Sequence, residues 1–322
     1  EAFASRVEAE TETLRSELEA GTFNNPQAIV GLEYEFYAVD AETDALMRVP
    51  RRLLEYIGFE KELGLHNAEL STTPQPLSKY GLRAQESEVQ AKLAAARTEV
   101  AREGMALVSD GLWTVPPIGE TASEYLTNSI EQDGMRMATN MSRAVRYHAM
   151  ANTDYAAGLQ LDAPHVSLSA DTVMPESLIT SIQPHYQVPH AHDLPERFRY
   201  ALRIAGPLLA VSVNSPFFPP DLYDADGETV LSECWMENRI PVFESVLNPE
   251  DSRKVAFPED IDSLDDAVDR IASDETVVPA EITPKGRFDD AFAHFRHKHG
   301  SFWRWVRPVF GGSTRKSANA RI

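Results

Sequence analysis

Cysteine is nearly absent from this sequence of 322 residues. Cys234 is the only one, so no disulfide can form within the chain. No apolar run approaches the ~20 residues that a membrane-spanning helix needs. The first residues carry neither the basic segment nor the apolar segment of a secretory signal. These absences favour a cytoplasmic globular protein that has no membrane partner.

Lysine is scarce as well. Seven of the 30 basic residues are lysines, against 50 acidic residues and a formal net charge of −20. This excess of negative charge repels the phosphates of nucleic acids and of anionic lipids, so neither is an expected partner. The acidic, lysine-poor composition has two interpretations. It indicates either adaptation to high salt, where charge repulsion is screened, or an acidic protein that works at ordinary salt concentration.

The common nucleotide-binding loops are also missing. No G-x-x-x-x-G-K-[ST] sequence occurs, and no G-x-G-x-x-G follows a predicted strand. Two histidine-rich stretches, 185–192 and 294–299, lack the ligand spacing of structural zinc sites. A phosphate site in this chain would therefore need a different structural motif.

The sequence does contain a predicted strand with alternating carboxylates, GLEYEF at residues 31–36. Successive side chains of a strand point to opposite faces, so Glu33 and Glu35 share one face, about 6.6 Å apart. The apolar Tyr34 and Phe36 take the other face. Two interpretations are open: the carboxylates are the solvated face of a half-buried strand, or they are oxygen ligands for Mg²⁺.

Two other polar side chains lie on predicted extended segments. Glu69 precedes a Ser/Thr/Pro run, and His165 is expected on a strand face that it shares with two serines. Their structural alternatives are a surface glutamate and a histidine satisfied by its surroundings. A concave sheet that presented both side chains beside Glu33 and Glu35 would hold Mg²⁺ against nucleotide phosphates without a P-loop.

Helical periodicity and turn residues predict the rest of the fold. One helix ends at Gly21, a second precedes Gly104, and Ser263 caps a third. A long helix is predicted over 123–150, and Pro207 is expected to kink or end another helix. The strand faces alternate rather than being continuously apolar. We therefore expect an α+β fold with an antiparallel sheet, in a single domain over residues 1–322.

Five motifs resemble those of the glutamate–cysteine ligase family, in its carboxylate–amine ligase branch, and occur in the same order. They are GLEYEF (31–36), AELSTTPQP (68–76), PHVSLS (164–169), LLAVSVNSPFF (208–218) and RKSANARI (315–322). The resemblance runs from about residue 27 to the last residue. When the acidic composition is taken into account, the chain most resembles the haloarchaeal members of the family.

The resemblance implies a catalytic domain like that of glutamine synthetase, a curved antiparallel sheet flanked by helices. ATP and Mg²⁺ would lie in its concave face, with Glu33, Glu35 and Glu69 as metal ligands and His165 at the metal or the nucleotide. The further expected site residues are Asn214, Ser215, Arg239 and Arg307 for binding, with Arg315 and Arg321 for catalysis. The alternative for the C-terminal arginines is a solvated basic face, and Arg239 only approximates the family's Ser-x-Arg signature.

The implied activity is ATP-dependent joining of the γ-carboxylate of glutamate to the amino group of cysteine, through a γ-glutamyl phosphate. Another amine acceptor remains open, as does a family member that binds its ligands without turnover. In the family, a Glu-x-Arg pair follows directly after the position of Ile322, so the resemblance implies two more site residues beyond this sequence. The sequence also leaves open a homo-oligomer.

Overall fold

The computed structural model describes residues 1–153, 158–245, 259–302 and 304–322. Within these residues the strands are β1 (Ile29–Asp40), β2 (Glu60–Lys61), β3 (Asn67–Ser71), β4 (Gln75–Pro76), β5 (Met105–Val108), β6 (Ser129–Gln132), β7 (Met135–Ala138), β8 (Leu159–Ala163), β9 (Val166–Ala170), β10 (Ile182–Gln187), β11 (Val309–Gly311) and β12 (Asn319–Arg321).

The α-helices of the same residues are α1 (Ala2–Glu19), α2 (Arg51–Ile57), α3 (Gly81–Arg102), α4 (Ala122–Thr127), α5 (Val145–Ala151), α6 (Leu194–Val211), α7 (Gly227–Glu233), α8 (Arg239–Ser245), α9 (Leu264–Ser273) and α10 (Ala293–Ser301). None of these helices is both long enough and apolar enough to cross a bilayer.

Eight of the described strands form one antiparallel sheet, in the order β11-β12-β10-β1-β3-β2, with β4 and β5 also pairing along β1. β1 is the centre of this sheet because it pairs with β10 and β5 along one edge and with β4 and β3 along the other. The sheet curls into a half-barrel that helices flank. The predicted α+β class with a curved antiparallel sheet is therefore confirmed.

The two faces of β1 have different surroundings. Phe36 and Ala38 are buried against α2 and α3, in a core that includes Leu54 and Val100. The opposite face carries Tyr37 and Val39 into a second and larger core. Glu33 and Glu35 share that second face by strand alternation, at the end of β1 that the larger core does not cover. We call this side of the sheet the cleft face.

A third core fixes α10 beside the far edge of the sheet. Leu14 of α1 and Phe295 of α10 are buried together with Phe310 of β11 and Ala320 of β12. The side chain of Glu10 adds hydrogen bonds from α1 to the backbone at the start of α10. The apolar core holds α10 against the β11–β12 hairpin, where one end of the candidate site lies, and Glu10 of α1 accepts the two backbone hydrogen bonds that hold α10 against α1.

Local signals were right at the helix ends and wrong in one long segment. Gly21 and Gly104 adopt positive φ after α1 and α3, and Ser263 caps α9, as predicted. The single helix predicted over 123–150 is wrong, because the chain forms α4, the β6–β7 hairpin and α5 instead. Asp133 and Gly134 both have positive φ at the tip of that hairpin, the conformation of a two-residue turn.

Pro207 does not end its helix, because α6 continues to Val211. Proline removes the hydrogen bond to the carbonyl four residues earlier, here that of Arg203. Arg203 is exposed, so water can take the place of the missing donor. The position of the proline on an exposed part of the helix therefore explains why α6 tolerates it.

Candidate active site

A row of polar side chains crosses the cleft face from one edge of the sheet to the other. Residues directly opposite each other in an antiparallel pair point to the same face, so the registers of the strands identify its members. In spatial order they are Glu60, Glu69, Glu35, Glu33, Gln183, His185, Gln187 and Arg321. This polar row is acidic at the β2–β3 end and basic at the β12 end.

Carboxylates crowd together at the acidic end. Glu35 of β1 lies directly opposite Glu69 of β3, and such a pair places the Cβ atoms about 4.5–5.5 Å apart. Burial raises the pKa of Glu69 to about 8, and the charge of Glu62 raises it further. Burial also raises the pKa of Glu35 to about 7, again with a contribution from Glu62. Without a cation, Glu35 and Glu69 therefore keep their protons to near-neutral pH, and their ionised form requires positive charge beside it.

Strand β10 and the residue before it orient the carboxylates of Glu33 and Glu35. Glu35 Oε2 accepts hydrogen bonds from the backbone N–H of Ser181 at 2.7 Å and from its hydroxyl at 3.1 Å, and Gln183 Nε2 donates to Oε1 at 3.0 Å. His185 Nε2 lies 3.3 Å from Glu33 Oε2. This contact lowers the pKa of Glu33, and the charges of two arginines lower it further.

Glu62 is a member of the acidic end that the sequence reasoning missed. It follows β2, and the hydroxyl of Tyr147 donates to its Oε2 at 3.1 Å while Arg146 Nη2 lies 3.8 Å from its Oε1. Burial raises the pKa of Glu62, whereas the charge of Arg146 opposes that shift. A glutamate in a connection between strands has no periodic pattern, so only its neighbours in space identify it.

The donor chemistry of the acidic end fits Mg²⁺, which prefers hard carboxylate oxygens. Glu69 is only 8% exposed, and among the described residues Arg146 is a cation whose charge interacts with both Glu62 and Glu69. In the part of the chain that is described, no three His, Cys, Asp or Glu side chains converge at metal-binding distance. Glu35 and Glu33 point instead to donors of β10 and its preceding residue.

Two arginines form the basic end of the polar row. Burial lowers the pKa of Arg307 and Arg321, the charge of Glu33 opposes this shift, and Arg321 lowers the pKa of Arg307 further. The contact made by Arg307 is a long hydrogen bond from Nη1 to the carbonyl of His299 at 3.4 Å. Among the described residues neither guanidinium has a carboxylate within ion-pair distance. Both are suited to bind an anion.

Ser215 and Arg239, two further residues expected in the site, meet at one buried carboxylate. The hydroxyl of Ser215 donates to Glu237, and Arg239 Nε donates to the same carboxylate at 2.7 Å. Arg239 Nη1 also donates to the carbonyl of Thr180 at 3.3 Å, one residue before the Ser181 that holds Glu35. The structure thus places Ser215 and Arg239 in a wall beside the acidic end.

Asn214 joins the same wall through a close approach to Gly111. A Cβ on Gly111 would lie 2.6 Å from Asn214 Oδ1 and 2.9 Å from Arg239 Nε. Glycine is therefore needed at this position for both side chains to approach the backbone. The carbonyl of Gly111 accepts from the backbone of Thr180, which ties this wall to the start of β10.

His165 lies elsewhere in the structure. It is the second residue of the two-residue loop between β8 and β9, with φ of 60°, rather than a member of a strand. Its Nε2 is 2.8 Å from Glu233 Oε2 and its Nδ1 is 3.5 Å from Asp224 Oδ1. The hydrogen bond with Glu233 raises the pKa of His165. His165 therefore lies at the turn of the separate two-stranded β8–β9 sheet, with Glu233 and Asp224 as its charged partners.

Arg315 also lies outside the polar row. Its Nη1 donates to Glu17 Oε2 of α1 at 2.8 Å, and its side chain is 65% exposed. An exposed ion pair of this kind joins the connection between β11 and β12 to α1. The structure therefore separates Arg315 from Arg321 and Arg307.

Comparison with known proteins gives one family match. The family model described as glutamate-cysteine ligase family 2 (GCS2) matches residues 29–322, which include every member of the polar row. Curated proteins yield no match to this chain. Since the matched span covers most of the sequence, the chain belongs to glutamate–cysteine ligase family 2.

Proposed function

We propose that this chain is an ATP-dependent ligase that joins the γ-carboxylate of L-glutamate to the amino group of L-cysteine, giving γ-glutamylcysteine. The observation that carries the proposal is the polar row: among the described residues it has crowded carboxyl groups with raised pKa values at one end and guanidiniums without a carboxylate partner at the other. Phosphoryl transfer requires in-line positioning and neutralisation of charge more than a covalent catalyst. Membership of a family of glutamate–cysteine ligases supports the same reaction.

The acidic end is the proposed site for Mg²⁺ and the triphosphate of ATP. Glu35, Glu69 and Glu62 would hold the metal, together with Glu33. A metal held there would supply positive charge that neutralises the phosphates of the nucleotide. The donors of β10 and Ser181 fix the direction of the β1 carboxylates. The wall formed by Asn214, Ser215 and Arg239 would bound the nucleotide.

The basic end is the proposed site for substrate anions. Arg307 and Arg321 present planar guanidiniums, which bind carboxylates and phosphates through paired hydrogen bonds. In the second half of the reaction the amine forms a C–N bond with the γ-carbonyl carbon, the C–O bond to phosphate breaks, and the amine loses a proton. The arginines would neutralise the negative charge of the acyl phosphate and of the departing phosphate.

The cellular setting is a further part of the proposal. The small-molecule substrates and the lone cysteine support a cytoplasmic enzyme with one catalytic domain over residues 1–322. The net charge of −20 and the seven lysines support adaptation to high salt. Melting temperatures measured at increasing KCl concentrations test that adaptation. The melting temperature of a salt-adapted protein should keep rising well above 0.15 M KCl, because screening reduces the repulsion between its negative charges.

Release of ADP by the full-length protein tests the function. The assay contains ATP, Mg²⁺ and L-glutamate, with or without L-cysteine, and mass spectrometry identifies the product. Release that depends on cysteine, together with γ-glutamylcysteine, is the expected result. Release with other amines alone would instead identify a ligase with a different acceptor. Absence of release under every condition would indicate a family member that binds without turnover.

A further inference from the structure

Glu237, a carboxylate that the sequence reasoning did not single out, lies at the centre of the wall beside the acidic end. It is only 7% exposed, and both of its oxygens accept hydrogen bonds from Arg239, from Nε to Oε1 at 2.7 Å and from Nη2 to Oε2 at 2.6 Å. The backbone N–H of Arg239 and the hydroxyl of Ser215 also donate to Oε1. Burial raises the pKa of Glu237, but the hydrogen bonds from Arg239 and Ser215 lower it overall, so the carboxylate stays ionised.

The buried pair of Glu237 and Arg239 needs an explanation other than stability. The cost of removing two charges from water can exceed the attraction between them, and apolar residues of similar volume often give a fold of equal or greater stability. The pair does fix the direction of a planar guanidinium that has further donors. One of these, Nη1 of Arg239, donates to the carbonyl of Thr180 at 3.3 Å. The pair therefore places a fixed, charged donor against the segment that precedes β10.

Thr180 is held from several directions. Its backbone N–H donates to the carbonyl of Gly111 at 3.1 Å, and its hydroxyl donates to the carbonyl of Asp110. Its own carbonyl accepts the hydrogen bond from Arg239. The residue is 2% exposed. These contacts restrict the peptide unit that joins Thr180 to Ser181.

The same peptide unit binds Glu35 on its other side. In a planar trans peptide, the carbonyl of Thr180 and the N–H of Ser181 point in opposite directions from one rigid group. Arg239 binds the carbonyl, and Glu35 Oε2 accepts from the N–H at 2.7 Å. The carbonyl of Ser181 also accepts from the backbone N–H of Glu35 at 3.0 Å. Rotation of this peptide would therefore move the Ser181 donor away from the carboxylate.

The donors of Ser181 also decide which oxygen of Glu35 remains for a cation. A carboxylate has about four lone-pair positions, two on each oxygen. The N–H and the hydroxyl of Ser181 both donate to Oε2, whereas Gln183 donates to Oε1 at 3.0 Å. Within the described chain, Oε1 therefore keeps capacity for a metal ion. The fixed peptide holds the carboxylate in this direction.

We infer that the Glu237–Arg239 pair positions the carboxylate of Glu35, through the peptide between Thr180 and Ser181. The inference rests on the proposed function, in which Glu35 binds Mg²⁺, and adds Glu237 to the groups on which the metal site depends. Glu237 is a positioning residue, because it acts on the metal only through other groups. Loss of an outer-shell hydrogen bond of this kind typically changes metal affinity by about 10- to 100-fold.

Binding of Mn²⁺ alone, without nucleotide or glutamate, tests the inference. Mn²⁺ takes the same oxygen ligands as Mg²⁺, and electron paramagnetic resonance measures the free ion. Glu237→Gln should raise the dissociation constant of Mn²⁺ about tenfold, because Arg239 loses its charged partner and no longer fixes the peptide.

Asp274→Asn is the matched control. It removes the carboxylate of another largely buried ion pair, in which Arg304 Nη2 lies 2.8 Å from Asp274 Oδ1, outside the polar row and the wall. Loss of a buried ionic partner destabilises a fold, so both variants should lower the melting temperature. Only Glu237→Gln should weaken Mn²⁺ binding.

Two further variants separate position from charge. Arg239→Lys keeps a cation beside Glu237, but one ammonium cannot reproduce the planar set of donors that binds both carboxylate oxygens and Thr180. Gly111→Ala retains every charge and introduces a Cβ 2.9 Å from Arg239 Nε and 2.6 Å from Asn214 Oδ1, which displaces these side chains. Both variants should weaken Mn²⁺ binding in the same direction as Glu237→Gln.

Unchanged Mn²⁺ affinity in folded Glu237→Gln would overturn the inference. So would an equal loss of affinity in Asp274→Asn, because general destabilisation would then explain both results. A wild type that binds no Mn²⁺ would contradict the inference as well. If Glu237→Gln does not fold by circular dichroism, Arg239→Lys is judged by the same criterion.

ADP release separates this inference from the general function. Weaker Mn²⁺ binding in Glu237→Gln, in a protein whose wild type releases no ADP, leaves the positioning role intact and defeats the ligase proposal. ADP release by the wild type, with unchanged Mn²⁺ affinity in Glu237→Gln, does the reverse. In an active enzyme, Glu237→Gln should raise the half-saturating concentration of Mg²⁺ about tenfold and recover most of its rate at saturating Mg²⁺.

Discussion

The two ends of the polar row are opposite solutions to the same physical problem. At the β2–β3 end, Glu35 and Glu69 hold their protons to about pH 7 and 8 because burial penalises a carboxylate. At the β12 end, His299 is deprotonated above about pH 3 because burial penalises an imidazolium. Desolvation opposes charge of either sign, and so it raises the pKa of acids and lowers that of bases.

The difference lies in what each end needs to complete it. The acidic end has crowded carboxyl groups whose ionised form a divalent cation would stabilise. Among the described residues, the basic end has two guanidiniums without a carboxylate partner, which a substrate anion would satisfy. In the proposed function, a single sheet face would separate the cation and triphosphate from the substrate anions, with Glu33 and His185 between them.

The largest expected effect is at the acidic end. Glu35→Gln and Glu69→Gln should each lower ADP release at least about 100-fold, because loss of a metal ligand exceeds the effect of losing an outer-shell partner. Turnover is measured across Mg²⁺ concentrations, with circular dichroism as a check on the fold. Glu86→Gln on exposed α3 is the control and should be silent. Unchanged turnover in both cleft variants would refute the metal assignment.

At the basic end, Arg321→Met should raise the KM for the amino-acid donor about 10- to 100-fold, since it removes hydrogen bonds to a charged group. The concentration of Mg²⁺ that gives half-maximal rate should remain unchanged. The rate is measured at varied concentrations of the amino-acid donor and of Mg²⁺. Arg197→Met, at an exposed position, is the control. A shift in Mg²⁺ dependence instead of KM would mean that the two ends do not act separately.

The metal-free stability of the acidic end should depend on pH. Glu69 has a folded pKa of about 8 and an ordinary value of 4.5, so the folded state retains a proton that the unfolded state loses between these values. Its stabilising contribution is therefore complete below pH 4.5 and is lost as the pH rises through 8. Relative to wild type, Glu69→Gln should gain roughly 2–4 °C in melting temperature between pH 6 and pH 8.5.

Differential scanning fluorimetry with a chelator measures both melting temperatures. Subtracting the melting temperature of the wild type from that of Glu69→Gln at each pH cancels the titration of all other groups. Mg²⁺ should restore the wild type at pH 8.5 and have little effect on the variant. A difference in melting temperature that does not change with pH would show that Glu69 is not the source of the buried charge.

A smaller effect is expected from the histidine that the structure places apart. His165→Asn should change the rate and its Mg²⁺ dependence by less than about twofold, because the charged partners of His165 are Glu233 and Asp224. Asparagine tolerates the positive φ of this loop position. A large loss of Mg²⁺ dependence would restore the metal role implied by the family resemblance.

The smallest effect is expected at Arg315. Its exposed ion pair with Glu17 contributes about 0–1 kcal/mol to stability, and Arg315→Ala should leave turnover unchanged. Thermal melting and ADP release together make the test. A kinetic defect comparable with that of Arg321→Met would show that Arg315 belongs to the active site after all.

Short-range patterns predicted much of the sheet. The alternation in GLEYEF placed Glu33 and Glu35 on one face, and the structure agrees because a strand has a fixed period of two. Pattern reading failed over 123–150, where Asp133-Gly134 provided a hairpin signal that a helical interpretation overlooked. It also failed to find Glu62, which has no periodic spacing relative to the other members of the site.

The sequence alone determined which side chains share a face within one strand, where helices end and which charge dominates the surface, because these follow from neighbours along the chain. Tertiary structure alone decided that Glu35 faces Glu69 and that Arg321 is on the same face, two strands away from β1. It also decided that His299 borders a cavity between α10 and the β11–β12 hairpin. Strand register and burial depend on packing between distant segments, and desolvation then sets the charge of each group.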